Sequence, residues 1–198
     1  MTAGSLSPRI AGAADPGEHG TELWRFALAF YAREEVAASC LALQERLGAD
    51  VDIVLFGIFA LLRHAIALEA DEIGAIDVLV EGWRSEVVKP LRHLRTRLKS
   101  GPSPAPSAAT QELRSRVQAV EIEAERIELL ALAGWLAERG RKPGGASSDV
   151  GAVVARIARH FAAGAEASLE HPDVRRALRS LELAAAQAAS QSPRAAQS

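Results

Sequence analysis

Apolar residues recur every three or four positions along most of this chain, which is the period of an amphipathic α-helix. No segment alternates apolar and polar residues for long enough to predict a strand. The pattern therefore predicts an all-α helical bundle. Its clearest part is two matched segments, 72–99 and 112–139. Their apolar stripes are Ile73, Ile76, Val80, Trp83, Val87, Leu91, Leu94 and Leu98 in the first, and Leu113, Val117, Val120, Ala124, Ile127 and Ala131 in the second. We predict that the two segments form a long antiparallel helix hairpin.

Capping residues and prolines divide the chain into successive helices. A first helix is expected to start at Thr21, and a second, over 34–47, to end at Gly48. Asp50 or Asp52 can cap a third helix, and a last helix is expected to start near Pro172. Pro90 interrupts the first hairpin segment, where its missing N–H predicts a kink near residue 86.

These boundaries predict four parts. Residues 1–20 form a disordered tail, 21–140 a helical domain with a Pro-rich loop at 100–110, 149–190 a C-terminal helical appendage, and 191–198 a second disordered tail.

Composition narrows the class of protein. The chain has 198 residues, 48% of them hydrophobic, and a formal net charge of -2, so neither a disordered chain nor a globally basic nucleic-acid binder is expected. A single cysteine excludes a disulfide scaffold and a Cys-based zinc site. The longest apolar run, 53–62, is too short to cross a bilayer, which needs about 20 residues. A cytoplasmic protein without a membrane segment is therefore expected.

One stretch of sequence carries a family resemblance. Residues 23–56 read LWRFALAFYAREEVAASCLALQERLGADVDIVLF, and a second block follows in Trp83-Arg84 and Val88-Lys89-Pro90-Leu91-Arg92 with Leu94-Arg95. Together they resemble a family of uncharacterised proteobacterial proteins over roughly residues 21–135. The resemblance implies a helical bacterial protein and brings no established activity with it.

Candidate chemistry is sparse. Cys40 lies in the middle of an apolar helix, which favours a buried core residue over a reactive thiol. The histidines His64, His93 and His160 stand on separate segments, so no metal-ligand spacing is present. The glutamates of the second hairpin segment lie outside its apolar stripe and are interpreted as a solvated face; they are Glu121, Glu123, Glu125 and Glu128. No catalytic residue, metal site or cofactor is predicted.

The segment 89–99 is the one local concentration of positive charge. Arg92, Arg95 and Lys99 share a helix face, and such a row can contact phosphates. The same arrangement is typical of a solvated helix face near a C-terminus, and we favour that interpretation over nucleic-acid binding.

Three functional hypotheses remain. The first is a non-catalytic interaction or regulatory protein that binds a protein partner or forms a homodimer. The second is an enzyme or carrier with an apolar small-molecule pocket inside the bundle, lined by aromatic side chains that include Phe26, Phe56 and Phe59. The third is a weak nucleic-acid contact through 89–99. The candidate ligand or partner contacts are Trp24, Tyr31, Gln44, Trp83, Arg84, Arg92 and Arg95.

Overall fold

The computed structural model describes residues 17–140, 149–162 and 168–191, and within them every regular element is a helix. Most of both predicted tails lies outside these residues. The helices are α1 (Gly17–Tyr31), α2 (Glu34–Leu47), α3 (Val51–His64), α4 (Ala70–Trp83), a π-helical turn (Arg84–Val88), α5 (Lys89–Ser100), α6 (Ala108–Arg139), α7 (Val150–Ala162) and α8 (Pro172–Gln191). The predicted all-α helical bundle is confirmed.

Local signals set most helix ends. Gly48 adopts the left-handed conformation, with φ 68°, and its N–H bonds back into α2, which ends one residue earlier. Asp50 caps α3, because its Oδ1 accepts hydrogen bonds from the backbone N–H groups of Asp52 at 2.7 Å and Ile53 at 3.3 Å. The expected start of α1 is wrong by four residues, since α1 begins at Gly17 and Thr21 lies inside it.

The predicted irregularity at Pro90 takes the form of the π-helical turn. Pro90 has no N–H to donate to the carbonyl of Glu86, and the five residues Arg84–Val88 adopt the wider π geometry. The N–H of Lys89 donates to the carbonyl of Arg84, five residues earlier. The turn therefore joins α4 and α5 without a break and places two arginines, Arg84 and Arg92, on either side of Pro90.

The predicted hairpin is present, with α4, the π turn and α5 running antiparallel to α6. Arg139 at the end of α6 pairs with Glu72 at the start of α4, and the indole N–H of Trp83 donates to the carbonyl oxygen of Ala124 at 3.0 Å. Residues 101–107 connect the two arms, and Ser107 caps α6 by accepting a hydrogen bond from the N–H of Thr110.

The predicted stripe of α6 is wrong in detail. Val117 and Ala124 are buried as expected, but Val120 and Ile127 are 55% and 42% exposed. The face that points inward carries Glu121 and Glu128 instead. Charged residues were assigned to solvent because burying an unpaired carboxylate is costly; here other segments of the chain supply groups that face them.

A single apolar core is shared by α1, α2, α3, α4, α6, α7 and α8, whereas α5 has no buried residue. Phe56 and Phe59 of α3 lie at its centre, and α7 and α8, which the sequence suggested as an appendage, contribute Ile157, Val174 and Leu181 to the same cluster. Cys40 is fully buried in this core, as predicted. No helix among the described residues is long and apolar enough to cross a membrane.

Candidate functional site

A cleft of about 500 Å³ lies between α1, α2, α3, α5 and α6. Its lining combines apolar side chains with polar and charged groups. The apolar lining includes Trp24, Leu28, Leu41, Leu55, Ile122 and Leu129. The polar lining is Tyr31, Gln44, Asp52, Arg92, Arg95, Gln118, Glu121 and Glu125. The cleft is therefore amphipathic, and its size falls within the roughly 300–1,000 Å³ of small-molecule sites.

The structure brings together five of the seven residues that the sequence suggested as contacts: Trp24, Tyr31, Gln44, Arg92 and Arg95 all line the cleft. Arg84 lines an adjacent smaller chamber instead. Trp83 lies at the edge of the hairpin, 37% exposed, and faces neither space. The phenylalanines Phe26, Phe56 and Phe59 fill the core and do not line the cleft.

Ion pairs between α5 and α6 form the charged side of the cleft. Glu121 is 4% exposed, and Arg95 donates to both of its carboxylate oxygens. Arg92 bridges two glutamates: its Nε lies 3.2 Å from Glu121 Oε1, and its Nη2 lies 2.6 Å from Glu125 Oε1. Shared guanidinium groups of this kind neutralise carboxylates that water cannot reach.

This network corrects two sequence interpretations. The four glutamates 121, 123, 125 and 128 do not form a solvated face, because only Glu123 among these four is well exposed, with 58% of its side chain accessible. Arg92 and Arg95, which were interpreted as part of a solvated helix face, have side chains only 30% and 26% exposed, and their guanidinium groups pair with Glu121 and Glu125.

Burial shifts the ionisation of two groups beside the cleft. It raises the pKa of the Cys40 thiol to about 12, so Cys40 is protonated at neutral pH and is a poor nucleophile. Burial, reinforced by neighbouring acidic groups, also raises the pKa of Tyr31. Tyr31 therefore presents a neutral hydroxyl that can both donate and accept a hydrogen bond.

The adjacent chamber, of about 30 Å³, shares Gln44, Val51, Asp52 and Arg92 with the cleft. One carboxylate oxygen from each of Asp50, Asp52 and Glu128 lies within 4.8 Å of the other two. Burial and the charge of Asp50 raise the pKa of Glu128 to about 10, and the same causes raise the pKa of Asp52 well above its usual range.

Arg84 ties this chamber to the far side of the bundle. Its Nη1 lies 2.8 Å from Asp50 Oδ2, and its Nη2 lies 2.6 Å from Asp77 Oδ1. His160 of α7 reaches the other oxygen of Asp77 at 2.7 Å. Burial raises the pKa of Asp77, but the hydrogen bonds from His160 and Arg84 outweigh it and hold that pKa below its ordinary value. The chain Asp50–Arg84–Asp77–His160 thus links α3, the π turn, α4 and α7.

Sequence reasoning missed the carboxylates. Asp50 and Asp52 were considered as helix caps, and Glu121, Glu125 and Glu128 were interpreted as a solvated surface in preference to a di-metal site, because the sequence has no Glu-x-x-His motif. One signal was available: these three glutamates are spaced by four and three residues, which places them on one helix face beside Ala124. Their partners could not be identified from spacing, since Arg92 precedes Glu121 by 29 residues.

Fold and site together define an all-α bundle with an internal amphipathic cleft and a buried cluster of carboxylates at one end of it. The chain belongs to the family described as "Protein of unknown function (DUF2390)", which matches residues 22–132. The matched segment covers more than half of the chain and contains every residue that lines the cleft and the chamber. Neither a curated protein nor a solved structure matches the chain.

Proposed function

We propose that this protein binds a small amphipathic molecule in the cleft between α1, α2, α3, α5 and α6. The observation that carries the proposal is the composition of the lining: aromatic and aliphatic side chains stand together with a small set of hydrogen-bonding and charged groups around one space. Binding sites for small molecules have this character, mostly apolar with a few placed polar groups. An apolar body would lie against Trp24 and Leu55, with its polar end toward Tyr31 and Gln44.

The charges of the lining favour a neutral or cationic polar end. Asp52, Glu121 and Glu125 line the cleft with two arginines, Arg92 and Arg95, so the lining has no guanidinium group in excess of its carboxylates. Both arginines already donate to glutamates. An anionic group would have to displace these pairs, whereas an amine or hydroxyl can add a hydrogen bond to Glu125, whose side chain is 27% exposed.

Native mass spectrometry of the freshly purified protein tests the proposal, together with titration of the neutral dye Nile red. Ala32 lines the rim of the cleft on an exposed position, so Ala32→Trp fills the mouth without removing a core contact. Ala29 is exposed on the same stretch of chain and lines neither space, which makes Ala29→Trp the matched control. We expect a co-purifying mass or saturable dye binding in the wild type and in A29W, reduced at least tenfold in A32W. A clean apo mass with no saturable dye binding in the wild type would refute the proposal.

A second candidate function is self-association, which corresponds to the interaction hypothesis drawn from the sequence. Leu113, Val120 and Ile127 are 47%, 55% and 42% exposed and are spaced by seven residues along the 32-residue α6. A spacing of seven aligns these three apolar side chains along one exposed line of the helix, and Arg116 and Glu123 beside that line carry opposite charges that a second copy can pair. The occupant we propose is α6 of a second copy.

Sedimentation velocity tests this second candidate. We expect a concentration-dependent dimer that Val120→Glu converts to a monomer. A wild-type protein that stays monomeric at the highest concentration tested would contradict it.

A further inference from the structure

The chamber beside the cleft contains a carboxylate that has no hydrogen-bond donor. Glu128 is 1% exposed, and among the described residues no donor reaches either of its carboxylate oxygens. Buried polar groups in folded proteins are nearly always satisfied, and an isolated buried carboxylate is among the most costly groups to leave unpaired. The side chain points at Asp50 and Asp52, two further acids, so the local arrangement makes the deficit worse.

The acidic side chains in and around the chamber also outnumber the basic side chains that face them. The carboxylates of the chamber and its neighbours are Asp50, Asp52, Asp77, Glu121, Glu125 and Glu128. The cationic side chains that face them are Arg84, Arg92, Arg95 and, at the exposed rim, Lys89. The carboxylates therefore outnumber the arginines and lysine by two, with His160 at the remote end of Asp77.

We propose that Asp50, Asp52 and Glu128 form a binding site for one divalent cation at the end of the cleft. The ligand atoms are all carboxylate oxygens, which hard cations such as Mg²⁺, Mn²⁺ and Ca²⁺ prefer. Two oxygens on opposite sides of such an ion lie about 4.2 Å apart for Mg²⁺ and about 4.8 Å apart for Ca²⁺, twice the metal–oxygen distance. The three oxygens lie within 4.8 Å of one another, so none is farther from another than the width of a Ca²⁺ site.

Groups around the three carboxylates can hold them in place for a bound ion. Asp50 is fixed by the backbone N–H groups of Asp52 and Ile53, which both donate to Oδ1, and by Arg84, which donates to Oδ2; Oδ2 therefore keeps a lone pair for a cation. Gln44 lines both the chamber and the cleft and offers a neutral oxygen. Arg84 and the positive N-terminus of α3 oppose a cation, so we expect a modest dissociation constant, on the order of 10⁻⁴ M.

The competing arrangement has no metal: Glu128 keeps a proton and shares it with Asp50. The two arrangements respond differently to Glu128→Gln, which preserves the shape of the side chain and removes its charge. With a proton in place, the amide is a close substitute, and divalent cations have no effect on either protein. With a cation in place, the amide removes one of three charged ligands and weakens binding.

The experiment compares the full-length wild type with E128Q and with E123Q, a matched control on the exposed side of the same helix. Each protein is treated with chelator, dialysed, and titrated with Mn²⁺ while the signal of free Mn²⁺ is followed by electron paramagnetic resonance. Melting temperatures are recorded with Mn²⁺, Mg²⁺ or Ca²⁺ and with KCl at equal ionic strength.

We expect one Mn²⁺ per wild-type chain and, at a hundredfold excess over the dissociation constant, a rise in melting temperature of about 5–10 °C. E123Q should behave as the wild type. E128Q should bind Mn²⁺ at least tenfold more weakly and, in chelator, melt no lower than the wild type, because it no longer buries an unpaired carboxylate. Asp52→Asn provides a second variant with the same expected loss of binding.

Two outcomes would overturn the site. Equal cation-induced shifts in the wild type and in E128Q and D52N would place any bound ion elsewhere. No stoichiometric Mn²⁺ binding by the wild type would assign the pair to proton sharing. Neither outcome depends on the occupant of the cleft, which the dye titration measures separately.

Discussion

Replacing Arg92 with alanine tests whether the charged side of the cleft holds the hairpin together. Arg92 makes two hydrogen bonds to carboxylates, one to Glu121 and one to Glu125, across the α5–α6 contact. Removing one partner of a fully buried ion pair costs about 3–5 kcal/mol. Here the side chain of Arg92 is 30% exposed and Glu121 keeps Arg95, so we expect a smaller loss of about 2 kcal/mol in the free energy of unfolding.

The assay is urea denaturation followed by circular dichroism, with thermal melts in parallel. A loss of about 2 kcal/mol corresponds to a melting temperature about 4–8 °C lower in a chain of this size. Arg92→Lys keeps the charge but cannot span both glutamates, so an intermediate loss is expected. The matched control is Arg116→Ala, which breaks a pair with Glu112 whose side chains are 72% and 68% exposed; it should cost within about 0.5 kcal/mol. Equal midpoints for R92A and R116A would refute the reasoning.

Two further predictions concern Trp83 and Asp77. Trp83→Ala should lower the free energy of unfolding by about 1–3 kcal/mol. This is less than the roughly 3–5 kcal/mol expected for a fully buried Trp, because the side chain of Trp83 is partly exposed. Urea denaturation measures the loss, and a loss no larger than that of Glu123→Ala would contradict the prediction. Asp77→Asn should destabilise the protein at pH 7. Because the folded-state pKa of Asp77 lies below the ordinary 3.8, its carboxylate stabilises the fold above that pH, and the contribution is lost as the pH falls through the folded-state pKa. Urea melts across a pH series should show the gap between wild type and D77N closing below about pH 4, whereas a constant gap would contradict the assignment.

The sequence alone determined the helices and their order. Helix α2 has the predicted bounds, Glu34–Leu47, because its end depends on Gly48, a residue that adopts the left-handed conformation at little cost. The hairpin was predictable because two long segments of helical period flank a short Pro-rich loop. These features depend on interactions within one turn or between chain neighbours.

Part of the cleft was also predictable. Trp24, Tyr31 and Gln44 were suggested from an apolar helical segment with isolated polar groups, and they line the cleft. Trp83 was also suggested as a contact but does not line the cleft, because it lies at the edge of the hairpin against Ala124. The spacing along one helix shows which residues share a face, but it cannot show what stands opposite that face.

Only the tertiary structure decided which charged residues turn inward. A helix face with Glu121 and Glu128 reads as surface, since a carboxylate without a partner is costly to bury. The fold brings Arg92 and Arg95 from α5 against Glu121, which neutralises it, whereas Glu128 is buried beside Asp50, a second acid from the start of α3. Glu128 lies 78 positions beyond Asp50 in the sequence, and no local propensity reports a contact at that separation. The cost of burying each charge depends on these distant groups, so the character of the site was decided by packing.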